Sequence, residues 1–299
     1  MKVFRFFHWW LCVLLFNFCS FTKAEAQYRL YDTIPHQPKK LTKLVLYSSG
    51  IYTAGLIGLN EVWYKENPRQ SFQFFNDASE WKQIDKVGHF YSTFHISARA
   101  ANAINQTGIP AKKSAWLGAA TGFVALSAIE ILDGYSAAYG ASASDLLANA
   151  SGSLAYVGQQ ALWNEIRIIP KFSFHRTHLA KLRPNTLGDN LPSEILKDYN
   201  GQTYWLSFDI DKFIKFPKWL NLAIGYGGQN MLYANDAANT EAGLQHYRQY
   251  YLAVDFDLSS IRTKSKVIKS LLTVVSAIRL PAPALEYNKN SWRFHPFYF

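Results

Sequence analysis

Cysteine is almost missing from this chain: Cys12 and Cys19 are the two it has, and both lie within the first 26 residues. Beyond that stretch there is no material for a disulfide, a thiolate-bound metal or a cysteine nucleophile. No Gly-x-Ser-x-Gly elbow is present, which removes one common hydrolase signature. Gly225-Tyr226-Gly227-Gly228 follows a strand pattern without a helix at phosphate-binding spacing, so it reads as a turn. The sequence shows no internal repeat and no RNA- or DNA-binding signature, and nucleic acid is not an expected partner. Acidic residues are also short, at 21 against 31 basic ones, for a net charge of +10. Such a balance suits anionic lipid headgroups or phosphates.

What is present at the start is an export signal. Lys2 and Arg5 precede an apolar run from Phe6 to Phe21, and Ala24-Glu25-Ala26 supplies small residues before a cut at Gln27. Lys2, Arg5 and Lys23 outweigh Glu25 by two, so +8 of the +10 stays with the mature protein. Cys19 follows Phe18, where a lipoprotein signal wants a small residue, which argues against lipid attachment there. About 270 residues remain, enough to bury a core without disulfides. Aromatic residues make up 16%, which fits a membrane interface or a β-rich core.

The expected fold class is α+β, with a bundle of about four apolar or amphipathic helices followed by a small antiparallel β domain. After the signal (1–26) comes an extended lead-in (27–40), a helical domain (41–169), a linker (170–200) and a β-rich domain (201–299). The helices are expected at 41–66, 85–104, 114–132 and 144–163. The second is amphipathic, and the fourth carries Leu146, Leu147, Leu154, Val157 and Leu162 on its apolar side. The first and third are apolar enough to raise the question of spanning a bilayer. Alternating patterns mark strands around Tyr204–Ile210, Leu220–Tyr226 and Tyr250–Leu258, and the aromatic segment Trp292–Phe299 makes about four. Its final Phe is reminiscent of outer-membrane barrels, but four strands fall short of the roughly eight such barrels need. Val267–Ile278 reads as helical.

The chemistry-bearing residues gather between 85 and 152. Asp85 and His89 stand four apart on one helix face, as do Asp145 and Asn149 on another. Glu130 follows a run from Ser114 to Ile129 with no charge. An ionised carboxylate there costs several kcal/mol unless a donor meets it, and Lys86, His89 and Arg99 are the candidates. Plainer roles exist for each: Asp85 as a helix cap, Ser142-x-x-Asp145 as a capping box, Asp133-Gly134 as a helix-ending turn, and His89 with Glu130 as a structural pair. His175-x-x-His178 lacks a third ligand and reads as surface histidines.

Asp85-Lys86-x-x-His89-Phe90, Glu130-x-x-Asp133-Gly134 and Ser142-x-x-Asp145-x-x-x-Asn149-x-x-Gly152 together resemble the YfiM-like family of predicted periplasmic lipoproteins, a domain of unknown function. The order of these residues is also similar to VanZ-like membrane proteins. The resemblance covers about 80 residues and implies an envelope location in a Gram-negative bacterium, periplasmic or at the outer membrane, without an established activity. The lipoprotein cysteine of shorter members has no counterpart here.

Two functional classes follow. In the first, the chain is a non-enzymatic, membrane-associated envelope protein whose buried polar groups fix helix register, with membrane lipid or another envelope component as partner. In the second it is a hydrolase or transferase acting on lipid-linked or phosphorylated envelope molecules. There His89 would be base or nucleophile, Glu130 would orient it or act as acid, and Asp85, Asp145 and Asn149 would hold substrate or a divalent cation, with Lys86 and Asp133 alongside. No cofactor is identified by the sequence.

Overall fold

The computed structural model describes residues 29–60, 68–137, 139–261 and 263–299. The expected export signal lies outside the described residues. The architecture is α+β: helices in the N-terminal half, then a six-stranded antiparallel sheet. The chain divides into two compact units, Met1–Asp77 with Ser92–Ile166, and Ala78–Tyr91 with Arg167–Phe299.

The first unit is helical. Helix α1 spans Pro38–Leu59, starting earlier than the expected lead-in allowed. Pro38 sits in its first turn, where a missing N–H costs nothing. Strand β1 (Phe74–Phe75) precedes helix α2 (Ile84–Asn105), whose first turns, as far as Tyr91, fall in the second unit, and helix α3 covers Ala111–Gly134. Strand β2 (Ala141–Ser142) pairs in parallel with β1 and leads into helix α4 (Ala143–Trp163).

Close packing of α2 and α3 follows from small residues. The buried face of α3 includes Ser114, Ala115, Gly118, Ala119 and Gly122. A Cβ added at Gly118 would come within 2.5 Å of the Ala101 Cβ and the Ser97 carbonyl. One at Gly122 would come within 2.2 Å of Ser97 Oγ. The two backbones therefore touch where only hydrogen fits, the device of small-residue helix interfaces. On another side of α3, Tyr52 of α1 donates its hydroxyl to the Ala125 carbonyl at 2.7 Å.

Two helix faces differ from expectation. Helix α2 is not simply amphipathic: Thr93, His95, Ser97 and Arg99 are buried together with Phe94, Ala98 and Ala100. In α4, Leu147, Leu154 and Leu162 are exposed, while Asp145, Asn149, Ser153, Tyr156 and Gln160 are buried. Polar groups can occupy such interiors when they bond one another, and here they do. Thr93 Oγ1 donates to Asn149 Oδ1 at 3.0 Å, and the hydroxyls of Ser97 and Ser153 lie 3.2 Å apart.

The second unit holds the sheet, an up-and-down meander of β3 (Ile168–Phe174), β4 (Gln202–Phe208), β5 (Leu220–Gln229), β6 (Tyr247–Phe256), β7 (Ala282–Asn288) and β8 (Ser291–Tyr298). The stretch 170–200, read as a linker, contains most of β3 and three short helices, α5 (Leu179–Leu182), α6 (Pro184–Leu187) and α7 (Leu191–Lys197). Helices α8 (Asp236–Glu241) and α9 (Lys266–Val275) complete the connections. The Gly225–Gly228 segment is no turn but lies inside β5. A Cβ at Gly225 would meet the Trp205 ring at 2.6 Å, so glycine gives the indole room.

The sheet curls. Strands β4 and β8 are four positions apart, which in a flat sheet is about 19 Å. Yet Thr203 Oγ1 of β4 and Tyr298 Oη of β8 are 3.1 Å apart. Residues 277–279 close on β3, with Phe172 N–H donating to the Ala277 carbonyl at 3.0 Å and Arg279 N–H to the Phe172 carbonyl at 2.8 Å. The concave side is filled by Trp205, Ala223, Tyr251, Ala253, Ala284 and Tyr298. It also encloses charge. Lys171 and Asp255 form an ion pair at 2.5 Å, with side chains 3% and 1% exposed. Arg279 sits 4.0 Å from the Trp205 ring centroid and donates to the Tyr298 carbonyl at 2.7 Å. Its burial pushes the guanidinium below its usual value, opposed by Asp255 and Tyr298.

Candidate functional site

In the second unit the site begins on the first turns of α2. Asp85 receives a hydrogen bond from the Tyr199 hydroxyl at 2.9 Å and one from Lys86 Nζ at 3.0 Å. His89 Nε2 lies 3.9 Å from Asp85 Oδ1, one helical turn on, as the spacing required. Asp85 is thus more than a helix cap. Tyr204 flanks the same turns: a Cβ at Gly88 would lie 2.8 Å from its hydroxyl. Burial drives the Tyr204 phenol far above its ordinary value, with Tyr91 and Asp85 adding to the effect, so it stays protonated. It donates to Gln202 Oε1 at 3.0 Å. A carboxylate oriented by a phenol and a lysine beside an imidazole can position a proton, and the Asp85–His89 pair offers two ligands to a cation.

In the first unit Glu130 is 3% exposed on α3. Its burial was legible from the charge-free run before it. A donor is supplied by the backbone: Ser142 N–H donates to Glu130 Oε2 at 3.1 Å. Ser142 is also the N-cap of α4, accepting from Asp145 N–H at 3.0 Å, so one half of the expected capping box forms. Its hydroxyl donates to Asp77 Oδ1 at 2.6 Å, and Ser144 donates to the same oxygen at 2.8 Å. Asp145 and Asn149 are buried on one face of α4, the face that carries Ser153 a turn further on. Asp133 lies in the last turn of α3, its carbonyl accepting from Ser136 N–H at 3.0 Å.

Each unit therefore brings part of the predicted set together: Asp85, Lys86 and His89 in one, Glu130 with the Ser142–Asp145 cap and the Asn149 rung in the other. Sequence reasoning missed Asp77, Tyr199 and Tyr204. Asp77 stands outside the motif, and the two tyrosines come from more than a hundred residues downstream, where no local spacing signals them. His175 and His178 do not pair as ligands: His175 faces Gln229, with Nε2 3.3 Å from its Nε2, while His178 is exposed.

Residues 73–159 match the model of one family. It is described as "Predicted periplasmic lipoprotein (DUF2279)". The matched span runs from β1 to the last turns of α4 and contains every candidate residue named between Asp77 and Asn149. The match supports an exported, periplasmic address and names no reaction. No curated protein and no solved structure matches the chain.

Proposed function

We propose that this chain is a membrane-associated protein of the cell envelope, with its helical unit seated in the bilayer through α1 and α3. The observation that carries the reading is the poor burial of α3. It is long and apolar enough to cross a membrane, yet 28% of its most apolar window is buried. A core helix of that composition is covered on most sides. Here Trp116, Leu117, Phe123, Val124 and Ile131 are exposed, as are Val45, Leu46 and Ile57 of α1.

The ends of the helices support the same reading. Helix α1 opens on Lys39 and Lys43, and α3 on Lys112 and Lys113, all exposed. These two starts lie together, since Gln37 N–H donates to the Thr107 carbonyl at 2.7 Å and Ala111 N–H to Asp32 Oδ1 at 2.7 Å. At the far end of α3, Phe72 meets Tyr135 and Phe74, both at 5.3 Å between ring centroids. From Lys113 to Tyr135 a helix rises about 33 Å, against a hydrocarbon core of about 30 Å. Basic residues at one limit and aromatic rings at the other are the usual markers of the two interfaces. Of the two acids in this span, Asp133 lies at the aromatic end and Glu130 points into protein, where it has its donor.

Alkaline carbonate extraction of membranes from expressing cells, followed by flotation, tests the reading. The protein should remain with the membranes and float. Complete release into a detergent-free soluble monomer would overturn it.

A second reading is favoured by the Asp85–His89 pair and its tyrosines, an arrangement suited to proton transfer on a phosphorylated or lipid-linked substrate. Under it, His89→Ala would keep the fold and abolish an envelope phenotype restored by the parent chain. An unchanged phenotype with a stable variant would remove it.

A further inference from the structure

The curled sheet of the second unit is inside out. Its concave side holds Lys171, Asp255, Arg279 and Glu286, all buried. Its convex side displays Leu222, Ile224, Tyr250, Leu252, Trp292 and Phe294, all exposed, with Leu252 at 53% and Phe294 at 64%. These are not scattered. Cross-strand register aligns Ile224 with Leu252, Leu252 with Leu285, and Leu285 with Phe294, a continuous apolar row over β5 to β8. A second row aligns Tyr226, Tyr250, Tyr287 and Trp292. Sheets with one face in water place polar side chains on that face. The reverse arrangement belongs to sheets whose outer face meets lipid.

A second observation identifies the occupant. The β4–β5 connection (209–219) opens on Asp209 and Asp211 and continues Lys212-Phe213-Ile214-Lys215-Phe216-Pro217-Lys218-Trp219, a stretch with three exposed lysines, no acid, and exposed Phe213, Ile214 and Trp219. Trp219 stacks on Phe256 at 6.2 Å, at the end of the convex face opposite the Tyr250 row. The β6–β7 connection, leaving the same end of the sheet, carries α9 with Val267, Ile268 and Leu271 exposed. Lysines interleaved with aromatic and aliphatic side chains bind where anionic headgroups border acyl chains. A protein partner has no need of lysine and apolar groups alternating in this way.

We infer that the convex face of the sheet is a lipid-docking surface: the row from Ile224 to Phe294 dips into one leaflet, and Lys212, Lys215 and Lys218 bind its anionic headgroups. The sheet lies on the leaflet and does not cross it. Six strands do not make a membrane barrel, and β8, with Pro296 and no partner beyond it among the described residues, is an edge that hydrocarbon would not tolerate at depth. This surface is separate from α1 and α3 and stands or falls without them.

The test uses the full chain with Cys12→Ser and Cys19→Ser, carrying a single cysteine at Leu252, at Phe294 or, as control, at the exposed Leu182. Each is labelled with a polarity-sensitive fluorophore and reconstituted into vesicles of phosphatidylcholine alone or with phosphatidylglycerol, with and without nitroxide-labelled lipid. Matching circular dichroism spectra confirm folding. Labels at Leu252 and Phe294 should shift to the blue and be quenched by the nitroxide, and the label at Leu182 should not. Lys212→Gln, Lys215→Gln and Lys218→Gln together should weaken this docking about a hundredfold in the anionic vesicles. Labels at Leu252 and Phe294 that remain in water would overturn the inference. So would shielding without nitroxide quenching, the signature of a second copy or another protein on that face. Alkaline carbonate extraction of the same samples strips a surface-docked sheet but not a spanning α3, so the two readings fail separately.

Discussion

Replacing Gly118 by Ala should weaken the helical unit, although alanine is the better helix former. Three contacts decide the sign. The new methyl carbon would lie 2.5 Å from the Ala101 Cβ, 2.5 Å from the Ala101 nitrogen and 2.5 Å from the Ser97 carbonyl oxygen. Two of these are backbone atoms of α2, so no rotamer change relieves them. Overpacking of this kind costs about 1–3 kcal/mol, and the gain in helix propensity returns about 0.5–1 kcal/mol. The net loss is about 1–2 kcal/mol. Gly158 of α4 is the internal control, because a Cβ there meets nothing within 4 Å. Gly158→Ala keeps the propensity gain alone and should stabilise by about 0.5–1 kcal/mol. Thermal unfolding in detergent, followed by circular dichroism, reads both, at about 2–4 °C per kcal/mol for a chain near this size. A Gly118→Ala variant as stable as the parent, or a Gly158→Ala variant equally damaged, would refute the claim that α2 and α3 meet backbone to backbone.

Three further predictions concern other parts of the molecule. Val124 is 61% exposed near the middle of α3, so Val124→Lys should cut membrane partition by about a hundredfold or more, at about 3 kcal/mol for a lysine at bilayer centre; carbonate extraction measures this, and unchanged retention would count against the bilayer seat. Asp255→Asn strands the buried Lys171 and should cost about 3–5 kcal/mol in denaturant unfolding, whereas a change under 1 kcal/mol would show the pair to be solvated. Burial holds the His175 imidazole below its ordinary 6.5, against the opposing pull of Asp198 and Glu286. The unfolded chain therefore takes up a proton that the folded chain refuses, so this contribution is complete above pH 6.5 and is lost as pH falls from 6.5 toward the lower folded value. His175→Gln should flatten that part of the stability curve, and an unaltered slope would place the acid sensitivity elsewhere.

Local signals in the chain proved easier to read than distant ones. The run ahead of Glu130 implies burial because a helix without a charge from Ser114 to Ile129 has little wet face to offer. Ser142 reads as a cap because a hydroxyl at that place serves the N–H three residues on. Strand β3 hid behind Pro170 and Lys171: the lysine looks like solvent-facing charge until Asp255, on a strand 84 residues later, neutralises it. Strand β7 was masked by Pro281 and Pro283, yet Pro283 is tolerated beside a break in register between Ala282 and Ala284. Alternation in β4 to β6 identifies strands but not which side faces inward, and in a sheet that encloses its charges the customary assignment is reversed. Tyr199 and Tyr204 escaped for a related reason, since long-range partners of Asp85 leave no periodic trace.

The most direct measurement is hydroxyl-radical footprinting of the protein in native membranes, read by mass spectrometry. If α3 is immersed in acyl chains, Trp116 and Phe123 remain unmodified while Tyr135 and Tyr139, beyond its end, are oxidised. Oxidation of Trp116 and Phe123 at the rate of the exposed Tyr139 would mean that the helix is bathed in water, and the membrane assignment would be wrong.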